Sequence, residues 1–274
     1  MSDDLSPVES VDRALRTVVL LGANPSGLTL DELARGTGIP KSSLHRILGA
    51  LRHRGFAAHR DDGGRYFLGT EMLRVAFAFH AALHIPALTH PLLVRLRDAF
   101  NETVHAGVLD GADVVYLDKV ESSRPIIMAT VIGGRNPAHF TGIGKALVAW
   151  TYPSDEAVRL WVRSHPPLPP RTSHTITSET KLVQEFARIR ERGYALDIEE
   201  NEVGVRCIGV PVFLGQSTPI AAISLSAPRD RLSDKRIAEV APLLRRMVDE
   251  TFGPVREEPT LPGANARRGE AANP

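Results

Sequence analysis

Cysteine occurs once in the 274 residues, at Cys207, so no intrachain disulfide can staple this fold. No window approaches 18 consecutive apolar residues, which excludes a membrane-spanning helix. The opening run MSDDLSPVES is acidic and lacks an apolar core, so it does not read as a secretory signal. These absences together point to a cytoplasmic protein. An excess of one charge is missing as well: 33 Lys and Arg stand against 32 Asp and Glu, a net charge of +1. Hydrophobic residues at 43% and charged residues at 24% match ordinary globular usage, which excludes a disordered, collagen-like or disulfide-stapled chain. The length suggests about two domains.

The balanced total conceals a segregated charge. Between Arg35 and Arg65 lie seven Lys and Arg residues and only two acids, Asp61 and Asp62, an excess of five positive charges. The rest of the chain carries the compensating negative excess of four. Such a patch suits either a solvated helix face or the electrostatic footprint of nucleic acid.

Local patterning discriminates between the two. Val11, Ala14, Leu15, Val18 and Val19 recur at helical spacing, and Asn24-Pro-Ser-Gly27 ends that helix. Thr29 with Glu32 forms a capping-box pattern ahead of a short helix over Leu30 to Arg35. Gly36-Thr-Gly38 turns the chain, and Pro40 suits the start of a third helix. There Leu44, Ile47, Leu48 and Leu51 form the inner stripe, leaving Lys41, Ser42, Ser43, His45, Arg46 and Gly49 outward. Gly55 suits a left-handed cap. Two short strands, at 56–60 and 65–68, flank the turn Asp61-Asp-Gly-Gly64. This order predicts a winged helix-turn-helix. Ser42, Ser43, His45 and Arg46 are placed for base edges, and Lys41, Arg52, Arg60 and Arg65 for phosphates.

The runs SVDRALRTVVLL, GLTLDELARGTGIPKSSLHRILGALRHRGF and GGRYFLG resemble the DNA-binding domain of the IclR family of bacterial transcriptional regulators. Farther on, GGRNPAHFTGIGKALVAW, RERGYALDIEENEVGVRCIGVPVF and AAISLSAP resemble that family's effector domain, so the likeness runs from about Ser10 to Phe252. It implies a homodimer, often paired into a homotetramer, a GAF-like C-terminal domain that binds a small molecule, and action as repressor or activator. The positions matching the family's effector-contacting residues are Gly142, Ile143, Asp197, Cys207, Ser224 and Ser226.

Read on its own pattern, the second half is α+β with a largely antiparallel sheet. The pattern predicts a linker helix over residues 71–84, then a helix from Pro91 to Phe100. Strands follow over His105–Leu109, Asp113–Val120 and Pro125–Val131. A helix capped by Thr141 runs to Trp150, and another spans Glu179–Arg192. Strands at 194–197, 205–213 and 219–226 precede a final helix at 233–252. In the strand from Val205, Ile208, Val210 and Val212 share one face while Cys207 and Gly209 take the other. In the next strand Ile223 and Leu225 oppose Ala222, Ser224 and Ser226. A face of Cys, Gly, Ala and Ser either packs closely or leaves room for a ligand. Helix N–H groups after Thr141 and the two serines favour a small carboxylic or sugar acid. Asp197 is expected to accept from a ligand hydroxyl or orient a neighbour, and the acidic run Glu199, Glu200 and Glu202 is expected to be largely solvent-facing.

The expected organisation is a winged helix-turn-helix domain at 1–70, a linker helix at 71–84, a GAF-like domain at 85–253 and a disordered tail at 254–274. Catalysis finds little support. GxxxxGK[ST] would need glycine at 139 and Ser or Thr at 146, where His139 and Ala146 stand. No spacing enforces a triad of Cys207, His139 and Asp197, and GxSxG is absent. His80 and His84 are four apart but lack a carboxylate cluster, so no metal and no cofactor is expected. The function read from the sequence is a ligand-responsive regulator, a repressor of palindromic operator DNA. The competing reading is a metabolite-binding scaffold whose N-terminal domain contacts protein.

Overall fold

A computed structural model describes residues 6–60, 64–82, 84–124 and 130–254, without the side chains of 79–82. The expected turn tip at 61–63, most of the expected strand at 125–131, the tail beyond 254 and the His80 side chain lie outside the described residues. The chain divides into two compact units, Met1–Leu83 and His84–Pro274.

The first unit contains α1 (Glu9–Gly22), β1 (Leu28–Thr29), α2 (Leu30–Thr37), α3 (Lys41–His53), β2 (Ala57–Arg60), β3 (Arg65–Leu68) and α4 (Glu71–Ala82). The capping box closes as the sequence predicts: the Glu32 N–H donates to Thr29 Oγ1 at 3.3 Å and the Thr29 N–H to Glu32 Oε2 at 2.8 Å. Helix α2 runs two residues beyond the predicted end, because Gly38, with φ +70°, closes it rather than Gly36. Leu21, Leu33, Ile39, Leu44, Leu48, Ala57 and Tyr66 form the core between the helices and the antiparallel β1–β3–β2 sheet.

Helix α1 exists where predicted, but its apolar positions Val11, Leu15 and Val19 face outward, each more than half exposed. Thr17 and Leu21 turn inward instead. Thr17 tolerates burial because its hydroxyl donates to the Arg13 carbonyl one turn earlier at 2.8 Å.

The second unit carries α5 (His84–Phe100), β4 (Thr103–Asp110), β5 (Asp113–Val120), β6 (Arg135–Pro137), α6 (Gly142–Thr151), α7 (Asp155–Ser164), α8 (Glu179–Arg192), β7 (Ala195–Ile198), β8 (Val205–Val212), β9 (Ala221–Pro228) and α9 (Asp234–Phe252). Its sheet is antiparallel throughout, in the order β6-β5-β4-β9-β8-β7. Helix α5 begins seven residues before Pro91, which lies inside it, so the proline did not mark the helix start. Proline there removes one donor without ending a helix whose Leu92, Leu93 and Leu96 are buried. Helix α7, capped by Ser154, and strand β6 add to the elements read from the sequence.

The two faces of the sheet divide the work. Val104, Ala106, Ile208, Val210, Ile223 and Leu225 pack against α5 and α9 in one core. The opposite face meets α6, and behind it α7 and α8, through Ile143, Leu147, Trp161, Leu182 and Phe186. The small-residue face of β8 and β9 therefore lies on the α6 side. Among the described residues no helix is long and apolar enough to cross a membrane.

Candidate functional site

In the first unit, α3 presents Lys41, Ser42, His45 and Arg46 to solvent, while Leu44 and Leu48 anchor its inner side. Ser43 is half-buried at the edge of that exposed face, and Arg52 is exposed in the last turn. Lys41 pairs with Asp31 on α2 at 2.7 Å, an exposed contact that a phosphate can readily displace. On the hairpin, Arg60 lies over the Phe67 ring, 4.5 Å from its centroid. Arg65 is deployed differently: its guanidinium donates to the Gly27 carbonyl at 2.8 Å and to Glu32 at 3.1 Å. It ties the hairpin to the capping box of α2, which positions the wing and leaves less of its charge for DNA.

In the second unit, the six positions singled out by sequence line one cavity of about 200 Å³. The strand register explains how they meet. Asp197 on β7 stands opposite Cys207 on β8, and Cys207 opposite Ser226 on β9. The next row carries Gly209, Ser224 and His105 across β8, β9 and β4. These two rows form the floor. Helix α6 enters above Gly209, where an added Cβ would lie 2.1 Å from the Gly142 carbonyl oxygen. Only glycine lets helix and strand approach so closely.

Thr141 caps α6 by accepting from the Gly144 N–H at 3.0 Å. Helix geometry leaves the N–H groups of Gly142 and Ile143 without intrahelical partners, and both residues line the cavity. With the positive end of the helix dipole behind them, they suit an anion. Arg135, held by Asp110 and Asp113, and the exposed Arg171 also border the space.

Asp197 is 1% exposed, and its Oδ1 accepts from the N–H groups of Glu200 at 2.8 Å and Asn201 at 3.3 Å. Burial raises its carboxyl to about 7, against the pull of Lys145. Through these two bonds Asp197 pins the loop after β7.

That loop corrects an expectation. Glu199 and Glu200 are buried, and only Glu202 of the acidic run is exposed. Glu200 pairs with Lys145 of α6, whereas Glu199 accepts from the Gly204 N–H at 2.9 Å and faces Arg206 and Arg229.

Sequence reasoning missed His105, Tyr116, Asn136 and Asn201 among the lining residues. A usable signal was present for His105: it alternates with Gly107 along β4, on the face opposite Val104 and Ala106.

The cavity is not arranged for covalent catalysis. The Cys207 thiol is pushed well above its ordinary pKa, first by burial and then by the Asp197 charge, which opposes thiolate formation. His139 lies outside the cavity lining, with Nε2 3.2 Å from the Pro169 carbonyl. Among the described residues no three metal-ligating side chains gather.

The family profile for the IclR helix-turn-helix domain matches residues 10–61, and that for the bacterial transcriptional regulator IclR C-terminal domain matches residues 78–251. The chain belongs to the IclR family. It is therefore a DNA-binding transcriptional regulator with an effector-binding C-terminal domain, and not an enzyme. The transcriptional repressor IclR of Escherichia coli strain K12 is 31% identical over 245 residues, covering 89% of this chain and 88% of that protein. The crystal structure of IclR from Thermotoga maritima is 29% identical, with a TM-score of 0.72 over 89% of this chain and 99% of that one. An IclR homologue from Microbacterium hydrocarbonoxydans, solved in complex with 4-hydroxybenzoate, shares the fold at 21% identity. Its TM-score is 0.74 over 89% of this chain and 99% of that one.

Proposed function

We propose that this IclR-family regulator acts as a repressor in the cytoplasm, binding palindromic operator DNA as a homodimer, and that a small organic acid sets its DNA affinity. Residues 1–70 serve as the reading head, 71–84 as linker and 85–253 as sensor. Ser42, Ser43, His45 and Arg46 address base edges, and Lys41, Arg52 and Arg60 address phosphates. Arg65 contributes chiefly by holding the wing. Repression is favoured by the E. coli relative's name, and homodimerisation by the outward apolar stripe Val11, Leu15 and Val19 on α1, which a second copy can cover.

The observation that carries the sensor assignment is the cavity over the N-terminus of α6, where Gly142 and Ile143 share one small space with Ser224, Ser226, Cys207 and Asp197. A cavity of about 200 Å³ lies below the usual drug-sized range, so it suits a short-chain or single-ring acid. 4-Hydroxybenzoate, the ligand of the Microbacterium homologue, belongs to that size class. An acid can shift DNA affinity only through its differential affinity for the DNA-competent and DNA-incompetent conformations.

The test pairs a thermal-shift screen of small carboxylic and sugar acids with a mobility-shift assay on the gene's own upstream DNA. An acid that raises the melting temperature and changes DNA affinity supports the reading. Replacing Ser224 and Ser226 together by Ala should abolish that response and spare DNA binding. A double variant that responds normally would remove this cavity from consideration.

A further inference from the structure

A second cavity lies on the other face of the sheet from the one over α6. It holds about 270 Å³ where the end of α5, the approach to β4 and the first turns of α9 meet, with Phe100, Leu225 and Val240 as its apolar wall. On β9, Leu225 borders this space, while its neighbours Ser224 and Ser226 border the cavity over α6. Arginine dominates the polar side. Arg124, Arg231 and Arg236 all line it, and Glu102 is the one acid among the lining residues.

The hydrogen bonds show how far these charges are answered. Glu102 is 6% exposed and accepts from Arg231 Nε and Nη2 at 2.8 Å each, and also from Arg124 Nη1. One buried carboxylate thus holds two guanidinium groups and neutralises the charge of one. Arg236 gives its Nη1 to Glu239, three residues on along α9, at 3.0 Å, and both side chains are 48% exposed. An exposed pair of this kind is worth little and yields readily to a better acceptor. Among the described residues, no protein acceptor is bonded to Arg231 Nη1, to Nε or Nη2 of Arg124, or to Nε or Nη2 of Arg236.

We propose that this cavity is a second ligand site, separate from the sensor cavity, for a phosphate-class dianion: inorganic phosphate or the head of a phosphorylated metabolite. The lining residues carry three positive charges against one negative, an excess of two that a dianion balances. Chloride or a single carboxylate leaves part of that excess unanswered. Guanidinium groups also donate through a planar fork that matches phosphate oxygens, and charge-assisted bonds of this geometry are the strong ones. Arg231 is already oriented by its two bonds to Glu102, so less side-chain freedom is lost when an anion arrives.

The experiment measures binding of inorganic phosphate and of glycerol 3-phosphate to the full-length protein by calorimetry, in excess potassium chloride at fixed ionic strength. The expected result is saturable binding of at least one of them. Tighter binding of the ester assigns the site to a phosphorylated metabolite, and equal or weaker binding assigns it to free phosphate. Arg124→Gln and Arg236→Gln should each weaken binding by about tenfold or more. Glu239→Gln, which frees Arg236, should tighten it. All three substitutions leave the two Arg231–Glu102 bonds in place. If Arg124→Gln fails to fold, the exposed positions Arg236 and Glu239 decide the matter. Replacing Ser224 and Ser226 together by Ala should leave phosphate binding unchanged. Affinity that ignores the arginine and Glu239 substitutions, or that is lost in the serine double variant instead, overturns the assignment. Absence of binding by both probes to the wild type overturns it as well, and in each case the cavity over α6 keeps its own test.

Discussion

Lys145 and Glu200 form an ion pair inside the second unit, with side chains only 1% and 6% exposed. One group belongs to α6 and the other to the loop after β7, so the pair ties the helix over the cavity to that loop. The loop is further held by Asp197, whose Oδ1 accepts two of its N–H groups. A displacement of α6 is therefore transmitted to the β7–β8 loop through this pair.

Removing one partner should be much worse than removing both. Lys145→Met leaves the Glu200 carboxylate buried without its counter-charge, and breaking such a pair costs about 3–5 kcal/mol. Denaturant unfolding of Lys145→Met should reveal a loss of that order. The double variant Lys145→Met with Glu200→Leu should recover most of it. A double variant as unstable as the single one would mean that the pair contributes through geometry rather than charge balance.

Asp197 makes stability depend on pH in a direction opposite to that of a salt-bridged surface acid. Its folded-state pKa is raised to about 7 from an ordinary 3.8. Between those values the native state holds a proton that the unfolded chain has lost, so this group's contribution falls as pH rises through that window. Above about 7 the contribution is level. Asp197→Asn keeps an acceptor oxygen and cannot titrate. The stability of Asp197→Asn relative to wild type should therefore climb from pH 4 to pH 7, by at most about 1.4 kcal/mol per pH unit, and then flatten. Parallel profiles measured by denaturant unfolding would contradict the raised pKa.

What the sequence reveals tracks how local the determining interaction is. The Thr29–Glu32 box, the Gly193 stop of α8 and the alternating faces of β8 and β9 depend on neighbours within a few residues, and they stand where pattern places them. The burial of Glu200 depends on a lysine 55 positions away, which no local rule connects to an acidic run. Arg65 reads as a free cation until the fold brings Glu32 beside it, 33 positions earlier in the chain. Helix α1 is legible as a helix, but its buried side is not. The apolar stripe that looks like a core face is turned outward, and a threonine satisfied by its own backbone lies inside. All six cavity positions carried over from the family resemblance line one space, whereas His105 required the sheet register to be seen as part of it.

Three arginines of the reading head should separate cleanly in DNA binding. If Arg46 reads guanine, Arg46→Ala should lower discrimination at one position of each half-site by about 1–3 kcal/mol. Arg60→Ala should instead weaken all sequences alike and reduce the salt slope by about one unit. Arg65→Ala should leave the salt slope nearly unchanged and lower the melting temperature of the first unit, because the wing loses its ties to the Gly27 carbonyl and Glu32. Binding titrations at several salt concentrations on wild-type and single-substituted operators distinguish the three outcomes.

Covering the outward stripe of α1 is the role assigned to the second copy. Leu15 is 60% exposed and Val19 72%, so a charge at either position has open space in the isolated chain. Leu15→Glu with Val19→Glu should leave monomer folding intact by circular dichroism and shift sedimentation toward smaller species. Operator affinity should fall as the two half-sites cease to be bound together. Unchanged sedimentation and DNA affinity would place self-association elsewhere.

The closeness of α6 and β8 gives the sharpest steric test. A Cβ on Gly209 would lie 2.1 Å from the Gly142 oxygen and 2.3 Å from its carbonyl carbon, both backbone atoms that cannot rotate away. Gly209→Ala must therefore push the start of α6 off the sheet, moving the Gly142 and Ile143 N–H groups together. Overpacking of this kind costs about 1–3 kcal/mol, and the displaced donors should cost effector affinity as well. Gly49 provides the contrast, since it is exposed within α3 and an added Cβ meets nothing within 4 Å. Gly49→Ala should stabilise the first unit by about 0.5–1 kcal/mol, through the helix preference of alanine alone. If both alanines behave alike in thermal unfolding, the close approach of α6 to β8 is not what positions the start of α6.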